Sequence, residues 1–254
     1  MAVKIYVIES LNEPDRFTGK EIYQDLLRWE SEKNSNIHTS YKDIISKNEF
    51  FSWLNKILTD LNKDDDVILQ LEMHGDANKS GIILSNGELI HWGELLLIFN
   101  TIKRTCSVFH LFMATCFGNY VGQLLLGGTL PFTSFTGTES EINENQIIED
   151  YTQIYSHFFQ EGSLYKAVEK MDSQGNESQI KTKDSQALIE YLLNFIIEKH
   201  IHNTPLKELS QIISIMFGIS FEEDTSEDSR EITMEHFIKV ITNFFQKTGT
   251  NFSV

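Results

Sequence analysis

The chain has 254 residues, of which 41% are hydrophobic and 3 are proline, enough apolar material for a large domain or a domain with an accessory unit and too much for a disordered protein. Lys and Arg number 21 against 37 Asp and Glu, giving a formal charge of −16, which excludes a general nucleic-acid-binding or anionic-membrane surface and favours a folded protein or peptide as partner. The N-terminal Met-Ala-Val-Lys-Ile-Tyr-Val-Ile lacks the basic and long apolar regions of a secretory signal, and no later stretch reaches the roughly 18 apolar residues of a membrane span, so the expected location is the cytoplasm.

In chain order, residues 3 to 8 predict a strand and residues 19 to 31 a helix, with a weaker strand over 36 to 40. Asn48 is the expected cap of a helix whose Phe50, Phe51, Leu54, Ile57, Leu58 and Leu61 form one stripe. After the acidic turn at Asp64 to Asp66, the short apolar run 67 to 73 reads as a strand buried in a sheet, with His74 and Gly75 at its end. Residues 81 to 90 carry two short apolar arms around Asn86-Gly87, which predicts a β-hairpin with a type I′ turn. A helix over 92 to 103 and a strand over 107 to 115 follow, the strand running into Cys116-Phe117-Gly118. A short helix over 119 to 126, a strand near 131 to 136 and a helix over 145 to 160 complete the pattern. Strands alternating with helices of this length imply βαβ crossovers: an α/β fold in three layers, with a mostly parallel central sheet and helices on both faces.

The remaining sequence departs from that alternation. Residues 172 to 185 are polar, with Ile180 the one apolar anchor, and read as an exposed loop or linker. Helices are expected over 185 to 202, 205 to 217 and 231 to 247, forming a C-terminal helical region packed on the sheet domain or on a partner. The expected organisation is therefore a core over 1 to 171, a linker over 172 to 185 and a helical region over 186 to 254.

Parallel strands joined by crossovers present their C-terminal ends along one edge, so His74 and Cys116 should stand side by side. Together they supply a nucleophile and a proton-handling partner, since a thiolate attacks and a neighbouring imidazolium lowers the thiol pKa. Gly75 lets a backbone N–H approach a substrate carbonyl, and with the N–H of Cys116 it can form an oxyanion hole. Neither a metal nor a cofactor is required. Taken singly, Cys116 can equally be buried filler and His74 a satisfied polar residue. His110, in mid-strand, reads as a core histidine, and His91 as a minor candidate for lining the cleft. Cys106, about 30 Å from Cys116 along the strand, reads as structural and out of disulfide reach.

The strand ending in His-Gly, the hairpin, the crossover and the strand ending in Cys-x-Gly resemble the caspase-like cysteine peptidases (clan CD), which include separases and gingipains. The stretches "EMHGDANKSGIILSNGELIHWGEL", "VFHLFMATCFGNYVG", "FTSFTGTESEI" and "KIYVIESLNEPDRFTGKEIYQDLL" are most similar to the bacterial CHAT proteases, and the resemblance spans about residues 3 to 171. It implies a caspase-like fold and a cysteine endopeptidase with Cys116 as nucleophile and His74 as its partner. Relatives with a basic P1 preference carry Asp two positions before the cysteine, where this chain has Ala114. That departure leaves P1 open: Ala114, Thr138 and Glu139 are candidate substrate-binding residues, Glu139 or Glu141 either replaces the missing acid or is simply solvated, and an S1 acid there would make Lys181 and Lys183 of the linker self-cleavage points. The family context is bacterial defence, in which such proteases cut a gasdermin-like pore former or another effector; the lack of an evident sensor repeat in this chain points to activation by a separate protein or by the C-terminal helices. The competing reading is a catalytically silent caspase-like interaction module.

Overall fold

A computed structural model describes residues 2–116, 131–138, 141–164, 166, 167, 170 and 181–184. The chain divides into two compact units, Met1–Val121 with Pro131–Asp184 and Gly122–Leu130 with Ser185–Val254. Every described residue belongs to the first, so the helices expected at 119 to 126 and beyond 185 lie outside the described residues.

The first unit is built on an eight-stranded sheet. Its main path runs β2 (Ile37–Asp43), β1 (Val3–Ser10), β3 (Asp66–Gly75), β6 (Val108–Ala114), β7 (Ser134–Gly137) and β8 (Lys181–Asp184), parallel throughout except for the antiparallel β8. β1 and β3 sit mid-sheet and are buried over almost their whole length, as expected of parallel strands covered on both faces. Alternation divides β3 into two sets. Ile68 joins the cluster formed with Ile5, Val7, Phe112, Ala114 and the α5 (Glu144–Glu161) residues Ile147, Tyr151 and Tyr155, and Gln70, Glu72 and His74 share that face. Val67, Leu69, Leu71 and Met73 point to the other face, the side of α3 (Lys47–Asp60) and α4 (Trp92–Thr105), where Phe99 of α4 meets Phe109 edge-on at 5.9 Å between centroids.

The expected helix at 19 to 31 is present as α1 (Thr18–Ile22), a π-helical turn (Tyr23–Leu27) and α2 (Arg28–Lys33). α3 begins earlier than expected. Ser46, not Asn48, is its cap, its hydroxyl accepting from Glu49 N at 3.3 Å while the Glu49 carboxylate accepts from Ile45 N at 2.9 Å. Among the described residues no helix is long and apolar enough to cross a membrane.

The segment expected to be a linker ends in β8, whose residues Lys181 and Lys183 are in register with Gly137 and Phe135 of β7. Residues this polar carry no strand pattern of their own, and the exposed edge of β7 supplies the pairing. A peptide bond held in a ladder must peel away before it can enter a protease cleft, so these two lysines are poor self-cleavage points.

The hairpin β4 (Gly81–Ile83) and β5 (Leu89–His91) extends β3 as an antiparallel meander, with His74 opposite Ile83 and Gly75 opposite Ile82. Its turn is not type I′. Gly87 has φ +85° and Asn86 does not have positive φ, and the bonds Gly87 N to Leu84 O (2.8 Å) and Leu84 N to Glu88 O (2.9 Å) enclose a three-residue loop closed by a glycine bulge. Ser85 at this turn donates its N–H to Ser10 Oγ at 2.9 Å and accepts from the Asn12 amide, tying the hairpin to the loop that leaves β1. Gly87→Val has steric room but the wrong backbone conformation, so a loss of about 1–3 kcal/mol is expected by chemical denaturation. Peptidase activity should fall further than stability because the Ser85 tie loosens; equal losses would mark the hairpin as purely structural.

Candidate active site

β3 and β6 run in register, with Glu72 opposite Ala114, so the segments just beyond their last paired rung, His74-Gly75 and Thr115-Cys116, emerge together. The two backbones nearly touch: a Cβ added to Gly75 would stand 2.0 Å from the Cys116 carbonyl oxygen. Only a glycine permits that approach. Asp76 N donates to Gly81 O at 3.0 Å, and the alternation of an antiparallel ladder then leaves Gly75 at a non-hydrogen-bonded position with its N–H turned away from β4. That orientation suits the expected oxyanion donor.

His74 and Cys116 line one cleft of about 480 Å³, with Leu11, Asp15 and Thr18 from the β1–α1 connection and Ile142 to Asn145 from the entry to α5. Cys116 is half-buried. His74 Nε2 lies 2.8 Å from Asp15 Oδ2. A carboxylate accepts, so Nε2 carries the proton and Nδ1 of the neutral ring keeps the lone pair that can take a thiol proton. Asp15 was not among the candidates from sequence. Arg16 fastens the same loop: its N–H donates to Glu144 Oε1 at 2.8 Å, Nη1 to Asn145 Oδ1 at 2.7 Å, and Nε and Nη2 to the two Glu21 oxygens at 2.8 and 2.6 Å.

A row of buried acids lies below this pair. Glu72 accepts from the Thr18 hydroxyl at 2.7 Å and from the Gln70 amide, while Gln70 Oε1 accepts from Tyr155 OH at 2.6 Å. Its neighbour in register, Glu9, accepts from Gly19 N at 2.8 Å and Tyr41 OH at 2.6 Å. Burial pushes the Glu72 carboxyl up to about 8, helped by the charge of Glu9 and opposed by the bonds from Thr18 and Gln70. Burial also raises Glu9, against its bonds from Tyr41 and the α1 backbone.

The other sequence candidates separate clearly. Cys106 is buried, bonded through Sγ to Ile102 O at 3.2 Å, and burial lifts its thiol to about 11, which leaves it unreactive. His110 is half-buried beside Ser134 Oγ, and burial lowers it to about 4, so it stays neutral. His91 does not line the cleft: it is exposed at the start of α4, its N–H donating to Glu94 at 3.0 Å. Ala114 lines the cleft, Thr138 is buried away from it, Glu141 is exposed, and Glu139 lies outside the described residues. Among the described residues no three His, Cys, Asp or Glu side chains converge as a metal site requires.

No family model matches the chain, and no curated protein matches it by sequence. Among solved structures, the Drosophila initiator caspase Dronc aligns with a TM-score of 0.51 at 12% identity, covering 72% of this chain and 79% of that one. The fold is caspase-like. Within it His74 and Cys116 sit at the ends of two neighbouring parallel strands and line one cleft.

Proposed function

We propose that the protein is a cysteine endopeptidase in which Cys116 attacks the scissile carbonyl, His74 takes and returns the proton, and Asp15 fixes the imidazole. The observation that carries this reading is the cleft itself: a half-buried thiol, an imidazole and a carboxylate at 2.8 Å from the ring share it, with Gly75 against the Cys116 carbonyl. In outline, His74 Nδ1 accepts the thiol proton, the thiolate adds to the carbonyl, and the N–H groups of Gly75 and Cys116 receive the developing oxyanion. The imidazolium then protonates the leaving amine, and water hydrolyses the thioester with His74 as base. Iodoacetamide should alkylate Cys116 much faster than Cys106, and His74→Ala should remove the difference; equal labelling of the two thiols in the wild type favours the silent module instead.

The finer reading is a CHAT-type protease of bacterial defence, acting in the cytoplasm on a protein substrate such as a gasdermin-like pore former and triggered by an activator protein. The sequence resemblance supports it. Co-expression with neighbouring genes and mapping of cleavage sites tests it, and the absence of any Cys116-dependent cut would overturn it.

Asp15→Asn keeps the size and a hydrogen-bonding group but cannot stabilise the imidazolium. A fall in kcat of about 10- to 1,000-fold is expected with KM little changed, because the imidazole loses the anion that holds it in place. An unchanged kcat would make the Asp15 contact incidental.

A further inference from the structure

Charge in the cleft is unevenly committed. Among the described residues its one Lys or Arg, Arg16, spends its guanidinium on Glu21 and Asn145. Of its three acids, Asp15 is taken by His74 and Glu144 by the Arg16 N–H. Glu72 is different. It is 1% exposed at the floor of the cleft, and its two oxygens meet neutral donors, the Thr18 hydroxyl and the Gln70 amide. No Lys or Arg among the described residues forms an ion pair with it.

Its place in the sheet is also specific. Glu72 and Ala114 are partners in the β3–β6 ladder, two residues before His74 and Cys116 respectively. Residues two apart on a strand share a face, so Glu72 lies one repeat, about 6–7 Å, behind His74. That is the length of an extended lysine or arginine side chain. The methyl group of Ala114 is all that β6 places beside it, so the space over the Glu72 carboxyl is not filled from that strand.

We propose that Glu72 is the floor of the primary specificity pocket and that the enzyme cleaves after lysine or arginine. The inference rests on the peptidase reading of the cleft. An acidic P1 side chain would meet Glu72, with Arg16 already engaged, and an apolar one would make no polar contact with a carboxyl that stays on Thr18 and Gln70. A guanidinium or ammonium forms charge-assisted hydrogen bonds to it and, by favouring the ionised form, displaces its proton to solvent.

Fluorogenic peptides differing only at P1, with Arg, its neutral isostere citrulline, Leu or Asp, test this. The wild type should favour Arg over citrulline by at least about 100-fold in kcat/KM, and Glu72→Gln should bring that ratio near one while Leu turnover changes by less than about threefold. A residue that merely held the fold would lower all four alike. Wild-type preference for Asp or Leu, or an Arg preference that survives Glu72→Gln, overturns the proposal. If no peptide is turned over, the peptidase reading fails on its own, and the pocket is still read by calorimetry on Cys116→Ala. There the Arg peptide should bind more tightly than the citrulline peptide and release a proton at pH 7, and both effects should vanish in Cys116→Ala/Glu72→Gln. Equal binding of the two peptides sinks it.

Discussion

Cys116→Ala protein is expected to hydrolyse no peptide while folding normally. The substitution deletes one sulfur from a half-buried position just past the end of β6, so the lost packing is small, about 1 kcal/mol or less. The lost chemistry is total, because no other described thiol is placed to attack: Cys106 sits at the end of α4, buried and with its thiol raised to about 11. Cys106→Ala is the matched control and should keep full activity with a loss of stability. Activity assays and thermal melts on the two variants decide the point, and a dead Cys106→Ala with a live Cys116→Ala would reverse the assignment.

Gly75→Ala should be nearly as damaging, for a steric reason. The added methyl would lie 2.0 Å from the Cys116 carbonyl oxygen, 3.1 Å from its carbon and 3.4 Å from Thr115 Cγ2. The nearest obstacles are backbone atoms, so relief requires the strand end bearing the nucleophile to move. Displacement of a reacting group by about 1 Å costs on the order of 100-fold in rate, and a loss of kcat/KM of at least that size is expected, with a lowered melting temperature. Gly93→Ala, where nothing lies within 4 Å of the added carbon in α4, should be neutral or slightly stabilising. If Gly75→Ala retains activity, the close approach of the two strand ends does not matter to the chemistry.

These contrasts show which parts of the molecule can be read in one dimension. The β3 run and the strand before Cys116 are nearly continuous apolar segments, and a parallel sheet covered on both faces demands that pattern, so these two strands and their parallel pairing were legible. Asp15 could not be found this way. It reaches His74 because the β1–α1 loop is held by Arg16 to α5 and by Asn12 to the hairpin, contacts that join residues more than 70 positions apart. Glu72 did carry a signal, a carboxylate inside an apolar run, and a buried acid there should have prompted the question of its partner. β8 lacks a signal altogether, since four polar residues become a strand only against the edge of β7. Helix and turn details failed through local competition: Ser46 displaces Asn48 as a cap, and the glycine of Asn86-Gly87 takes the positive φ by itself.

The chain of bonds from Thr18 through Glu72 and Gln70 to Tyr155 also bears on how the strands find their alignment. A central parallel strand that is apolar on both sides can slide by one residue and still bury oil against oil, so hydrophobicity leaves its pairing ambiguous. Gln70 and Glu72 break that degeneracy. A one-residue slip of β3 would carry both side chains to the α3–α4 side, away from the Thr18 hydroxyl and the Tyr155 phenol, and strand them unsatisfied in a dry layer. The polar thread acts as a keyway: misaligned sheets are penalised during folding, and the alignment that survives is the one that brings the ends of β3 and β6 level with each other.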